Sequence, residues 1–266
     1  MKHEDAPFFQ VDQSVVTTSE SDVAVPMLFY DASYMLNLFH ADEARIVDAI
    51  GDVDIEPALD TNGRGLVGLA FYEYRDTSFI PYNEVGLAAQ VVRKGDNPPR
   101  FPLIDMIRKP TSRKSYNYLF HLPVTTVAAN AAGLEIWGFP KFVAEIPLTF
   151  EGSRFDGSVL DPVSGSPIFT CTGRRGSGLT LPGIDLRIYS ELNGQPMETI
   201  VDTNYKGHSG AGGSLTLTVG NSDHAMADTL RKLDLDGKKP FLTHMSDRFR
   251  SRLNATKILP ERVVVR

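Results

Sequence analysis

The chain has one cysteine, Cys171, and one tryptophan, Trp137, among its 266 residues. A single thiol excludes an intrachain disulfide and a cysteine-based zinc site, and it fits a reducing compartment. Basic excess is missing too: 27 Lys and Arg stand against 33 Asp and Glu, for a net charge of −6. With its basic residues scattered among acidic ones, the chain offers no electrostatic footprint for a nucleic-acid backbone or an anionic membrane, and neither is an expected partner. Residues 1–18 lack the continuous apolar run of a signal peptide or membrane span, so the expected address is the cytoplasm.

Reaction motifs are equally scarce. The histidines, His3, His40, His121, His208, His224 and His244, include no pair at the i, i+2 or i, i+4 spacing at which two rings share a metal. The glycine-rich stretch from Gly207 to Ser214 lacks the Gly-Lys-Ser/Thr ending of a phosphate loop and leads into a strand-like run, so it reads as a plain loop. Cys171 lies between Thr170 and Thr172 with no cue for an activated thiol and reads as a small core residue. No Gly-x-Ser-x-Gly elbow occurs.

What is there is a globular composition, 42% apolar and 23% charged. Residues 1–25 read as a loosely ordered polar arm, and residues 26–266 as a single domain. After a first strand to residue 39, a helix is predicted over residues 41–50, capped by Asp42 and ended by Gly51. Strand-like runs come next at 66–74, 84–92, 116–125, 143–150, 167–172, 179–189, 198–201 and 214–219, with Gly, Pro, Asn and Asp at the breaks. A helix is predicted at 222–233, with Ser222 as its cap, and a weaker one at 243–253. So many short strands with few helices between them predict an α+β, mostly β fold, a curved antiparallel sheet or β-barrel with a few peripheral helices.

One segment needs an explanation. Trp137-Gly138-Phe139-Pro140 places the only tryptophan, a glycine, a phenylalanine and a proline directly before Lys141. The plain account is a lysine at the start of a strand, its stem across aromatic surface and its ammonium in water. The chemical account is an apolar pocket that disfavours the ammonium and leaves a free amine able to attack a ketone carbonyl. The protonated imine so formed is an electron sink for decarboxylation, proton abstraction or aldol chemistry.

The segment resembles the acetoacetate decarboxylase family, in which a Gly-Arg-Glu element precedes an aromatic residue, a proline and the Schiff-base lysine. Here the corresponding residues are Gly133-Leu134-Glu135 and then Phe139-Pro140-Lys141. Upstream, Tyr82-Asn83-Glu84 falls where the family places an active-site glutamate. The likeness covers most of the chain from about Pro26. It implies the acetoacetate decarboxylase-like barrel, catalytic roles for Lys141 and Glu84, a small keto-acid substrate and a homo-oligomer. It implies a lyase that needs no cofactor, either decarboxylating a β-keto acid or joining a pyruvate-like donor to an aldehyde with dehydration. In the family a neighbouring cation activates the lysine. This chain departs from it: Phe142 stands in place of the second lysine, Leu134 replaces the arginine of Gly-Arg-Glu, Ala32 aligns with a carboxylate-binding arginine and Ala70 with a second glutamate. If residues 141 and 142 are extended, Phe142 points away from the pocket and desolvation alone acts on Lys141. The rival reading is a non-catalytic β-barrel that holds a small ligand.

Overall fold

The computed structural model describes residues 6–260; His3 and the rest of the first five residues of the expected arm, and the last six of the expected domain, lie outside the described residues. Within the arm, β1 (Ser14–Thr17) and β2 (Asp22–Val25) form an antiparallel hairpin, and Val23 and Val25 are buried against the body. Next comes β3 (Met27–Asp42), a strand buried along most of its length because both of its faces are covered. The short helix α1 (Glu43–Ile50) is next, with Asp42 at its N-cap position and Gly51, at φ 70°, ending it.

The chain continues through β4 (Ile55–Pro57), β5 (Arg64–Thr77), β6 (Tyr82–Arg93), the one-turn helix α2 (Pro102–Met106) and β7 (Tyr116–Val124). Then come α3 (Val127–Trp137), β8 (Lys141–Val143), β9 (Leu148–Glu151), β10 (Arg154–Leu160), β11 (Pro167–Arg174) and β12 (Gly178–Pro182). The last elements are β13 (Leu186–Leu192), β14 (Gln195–Thr203), β15 (Lys206–Gly210), β16 (Thr216–Val219), α4 (Ala225–Lys232), β17 (Leu242–Leu253) and β18 (Lys257–Ile258).

Seven strands close a barrel in the order β3, β5, β6, β7, β13, β14, β17, with β17 returning to pair β3. Every seam is antiparallel except β7 to β13, which makes the barrel mixed rather than wholly antiparallel. Alternation along the strands sorts side chains onto two sides of the wall. On β5, Ala70, Tyr72 and Tyr74 face an inner core shared with Phe29, Tyr34 and Phe249. Leu69 and Phe71 face an outer core, where the wall packs on a second sheet of β16, β11, β10 and β9 through Phe155, Phe169, Cys171 and Leu217. Burial pushes the Cys171 thiol up to about 12, as befits a core residue.

Several sequence expectations need correction. Residues 243–253 are not helical: they belong to β17, where Phe249, Ser251 and Leu253 are buried and the arginines at 248, 250 and 252 alternate with them, a period of two rather than 3.6. The first part of the glycine-rich stretch is strand β15, paired to β12 and β17, and only residues 211–214 form a loop. The runs at 143–150 and 179–189 each break into two strands, while α3 and β10 are elements the patterning did not predict. α4 starts later than expected because His224 caps it, its Nδ1 accepting from the Met226 N–H at 3.1 Å. Ser222 donates instead to Asp161, 2.7 Å away.

Candidate active site

α3 explains where the lysine goes. Thr126 caps it by accepting from the Ala129 N–H at 3.3 Å. The alanine-rich turns after the cap are narrow enough to be buried against the barrel at Ala129, Ala131, Ala132 and Gly133. At its C-terminus Gly138 takes the left-handed conformation, φ 63°, and the Phe139 N–H closes back on the Gly133 carbonyl at 3.0 Å. A Cβ on Gly138 would lie 2.3 Å from the Glu191 carbonyl oxygen, so glycine is required twice over. Trp137 pins the turn: its indole N–H donates to the Asn254 carbonyl at 2.9 Å and its own carbonyl accepts from the Ser190 hydroxyl at 2.7 Å. Pro140 then accepts from the Leu122 N–H at 3.0 Å, and β8 begins at Lys141, parallel to β7.

The lysine stem lies flat on Gly133, where a Cβ would sit 2.2 Å from Lys141 Cδ and 2.4 Å from Cε. Any side chain at 133 would displace it. Lys141 Nζ is 2.7 Å from Glu84 Oε2, and the two side chains are only 5% and 10% exposed. The Tyr74 hydroxyl donates to Glu84 Oε1 at 3.3 Å, and the Tyr82 ring lies 5.5 Å from Nζ. Burial first, and then the Glu84 charge, push the Tyr74 and Tyr82 hydroxyls well above their usual range, so both stay protonated donors. The pair opens into a cavity of about 110 Å³ inside the barrel. Around the pair the lining is aromatic, with Phe29, Tyr34, Tyr72 and Phe139; farther along it is mostly aliphatic, with Leu36, Leu38, Leu66 and Leu119, and carries the polar Gln90, Asn117 and Ser251. Among the described residues lining it, Glu84 and Lys141 are the only charged ones.

Both residues singled out in the sequence therefore meet at one point. Phe142 does point away, packing in the outer core between His121 and His224, at ring distances of 6.5 and 4.4 Å. Ala70 lines the cavity, whereas Ala32 is buried in the inner core without lining it. Leu134 is exposed, and Glu135 points outward to tie the arm down, accepting from the Ser19 N–H at 2.9 Å and from its hydroxyl. Tyr74, Tyr82 and the role of Gly133 were not singled out from the sequence. The signal for Tyr74 was its alternation with Glu73 and Arg75 on β5; the register of β5 against β6 sets Tyr82 directly opposite it.

A closed mixed barrel with this strand order has the acetoacetate decarboxylase-like fold. Superposition on the acetoacetate decarboxylase of Legionella pneumophila gives a TM-score of 0.63 at 17% identity, covering 96% of this chain and 92% of that one. A second acetoacetate decarboxylase structure gives 0.60 at 17% identity, covering 88% and 89%. The enduracididine biosynthesis enzyme MppR complexed with pyruvate gives 0.59 at 12%, covering 88% and 90%. No curated protein sequence matches the chain. The acetoacetate decarboxylase family model matches residues 15–180, a span that includes Glu84 and Lys141, and the chain belongs to that family.

Proposed function

We propose that the chain is a Schiff-base-forming lyase that acts on a keto acid through Lys141, with Glu84 as its proton partner. The observation that carries this reading is a lysine held inside a largely apolar cavity with one carboxylate at 2.7 Å and no other charge among the described residues of the lining. Glu84 Oε2 accepts a proton from the ammonium, and the freed amine attacks the substrate carbonyl. Returned to the carbinolamine oxygen, that proton lets water leave and the iminium form. With a β-keto acid, the bond to the carboxylate breaks, CO2 departs, and its electron pair flows into the iminium to give an enamine. Protonation at carbon and hydrolysis then release the ketone and the lysine. Tyr74 holds the Glu84 carboxylate in place throughout.

A second outcome starts from a pyruvate-like donor, whose iminium gives up a methyl proton to Glu84 to form an enamine that attacks an aldehyde, with subsequent loss of water. The solved complex of MppR with the condensation product of pyruvate and imidazole 4-carboxaldehyde supports keeping it. A homo-oligomer in a reducing cytoplasm completes the reading. Supporting features are the lone buried thiol and the exposed edge strand β12, with Leu179 and Leu181 in solvent. No helix among the described residues is long and apolar enough to cross a membrane.

The test is borohydride trapping with acetoacetate or pyruvate, read by intact mass. A stable adduct on the wild type, absent from Lys141→Ala, is the expected result. No adduct with either acid would instead favour a barrel that binds ligands without turnover.

A further inference from the structure

We propose that the cavity beside Lys141 holds the unbranched apolar chain, about five carbons long, of a 3-oxo acid of medium length, so that acetoacetate fills only its mouth. This assignment rests on the imine reading above and specifies its substrate class.

The chain's place is built by two adjacent strands. Along the inner face of β6 stand Glu84, Gly86 and Ala88; directly opposite them on β5 stand Tyr72, Ala70 and Gly68. Side chains therefore shorten in register away from the reactive pair. The interior of a small barrel is ordinarily filled by side chains, but here two successive cross-strand pairs carry nothing beyond a Cβ. They leave a trough that runs for about 13 Å from the level of Glu84 to that of Ala88. Its walls are close and, as far as the polar Gln90–Asn117 pair beyond Ala88, aliphatic: a Cβ on Gly86 would lie 3.3 Å from Leu122 Cδ1, and one on Gly68 would lie 3.3 Å from Leu36 Cδ1.

Size and charge select among keto acids. An apolar cavity of about 150 Å³ accommodates benzene, so the 110 Å³ here, which includes the space at Lys141, admits a slender unbranched chain rather than a branched or cyclic one. Among the described residues Lys141 is the sole cation on the lining and already faces Glu84, so a second carboxylate would be buried without a partner. Dicarboxylic keto acids are excluded on that ground. With 3-oxooctanoate, the carbonyl meets Lys141, its carboxylate leaves as CO2, one proton is taken up and 2-heptanone is the product.

Two measurements test the assignment independently of the imine. The first compares kcat/KM for 3-oxooctanoate and acetoacetate; four further buried methylenes predict a preference on the order of 100-fold for the longer acid. The second compares calorimetric binding of 2-heptanone and acetone, for which 2-heptanone is expected to bind at least tenfold more tightly. Ala88→Leu should cut both ratios at least tenfold, and Ala70→Val provides a second variant should the first fold poorly. Equal treatment of long and short ketones in binding overturns the proposal, even if borohydride traps an adduct on Lys141. Tight 2-heptanone binding without turnover or trapping of either acid would uphold the chain site and overturn the imine.

Discussion

The 2.7 Å contact between Lys141 and Glu84 holds two charges in a site almost closed to water. Removing one partner leaves the other buried and uncompensated, which typically costs about 3–5 kcal/mol. Lys141→Met and Glu84→Gln should therefore each lower the unfolding free energy by about 3 kcal/mol, and the double variant should recover most of it. Urea denaturation of the four proteins of this cycle gives the answer; additive losses would mean that the two residues do not act as a unit. For reactivity the same variants diverge: Lys141→Met should abolish adduct formation outright, while Glu84→Gln should slow it about 100-fold. Both residues were legible in the sequence, because a lysine after an aromatic and a proline, and a glutamate after a tyrosine, match a family pattern. Their proximity was not, since the contact joins positions 57 apart in the chain.

At the scale of elements, α3 is a seat for the lysine, and its alanines and Gly133 set how close the helix comes to the barrel. Gly133→Ala should push the lysine stem aside and slow borohydride trapping at least tenfold, while the far-UV circular dichroism stays that of the wild type. The helix escaped prediction because all but Asn130 and Glu135 of its residues are apolar or glycine, so no stripe of period 3.6 sets it off from its surroundings. The opposite error befell β17, where residues 243–253 were expected to be helical although Arg-Phe-Arg-Ser-Arg-Leu alternates with a period of two. β17 also carries a pH response. His244 is fully buried, its Nδ1 2.5 Å from the Ser209 hydroxyl, and burial first, then His208, lowers its pKa to about 4. The folded value lies below the unfolded one, so the unfolded state binds the proton first and stability falls as pH drops from about 6.5 to 4. The loss should reach about 3 kcal/mol, and denaturant midpoints measured across that range should show a shallower fall in His244→Asn.

On the scale of the whole molecule, the barrel wall belongs to two cores at once. β5 sends Tyr72 and Tyr74 inward and Leu69 and Phe71 outward, so neither core can be lost while the strand keeps its place. Phe71→Ala empties a site between the barrel and the second sheet and should cost about 3–5 kcal/mol. Trp137, the only tryptophan, sits in the other core. Its fluorescence should nevertheless report the same lowered midpoint as circular dichroism; separate transitions would show that the two layers unfold independently. A mostly β fold was readable from the density of short strands and turns. Strand order and the parallel seam from β7 to β13 were not, because they depend on pairings between distant segments that local patterning does not record.

β6 has one more consequence, for how the family can diversify. The glutamate that faces the lysine and the small residues that leave the trough open alternate along one strand, at positions 84, 86 and 88. Exchanging Ala88 for a larger residue should resize the space without touching Lys141 or Glu84, whereas at Gly86 even a Cβ would press on Leu122, 3.3 Å away. On the proposed reading, descendants of such a chain could change which molecules they accept one substitution at a time while keeping the lysine and the glutamate.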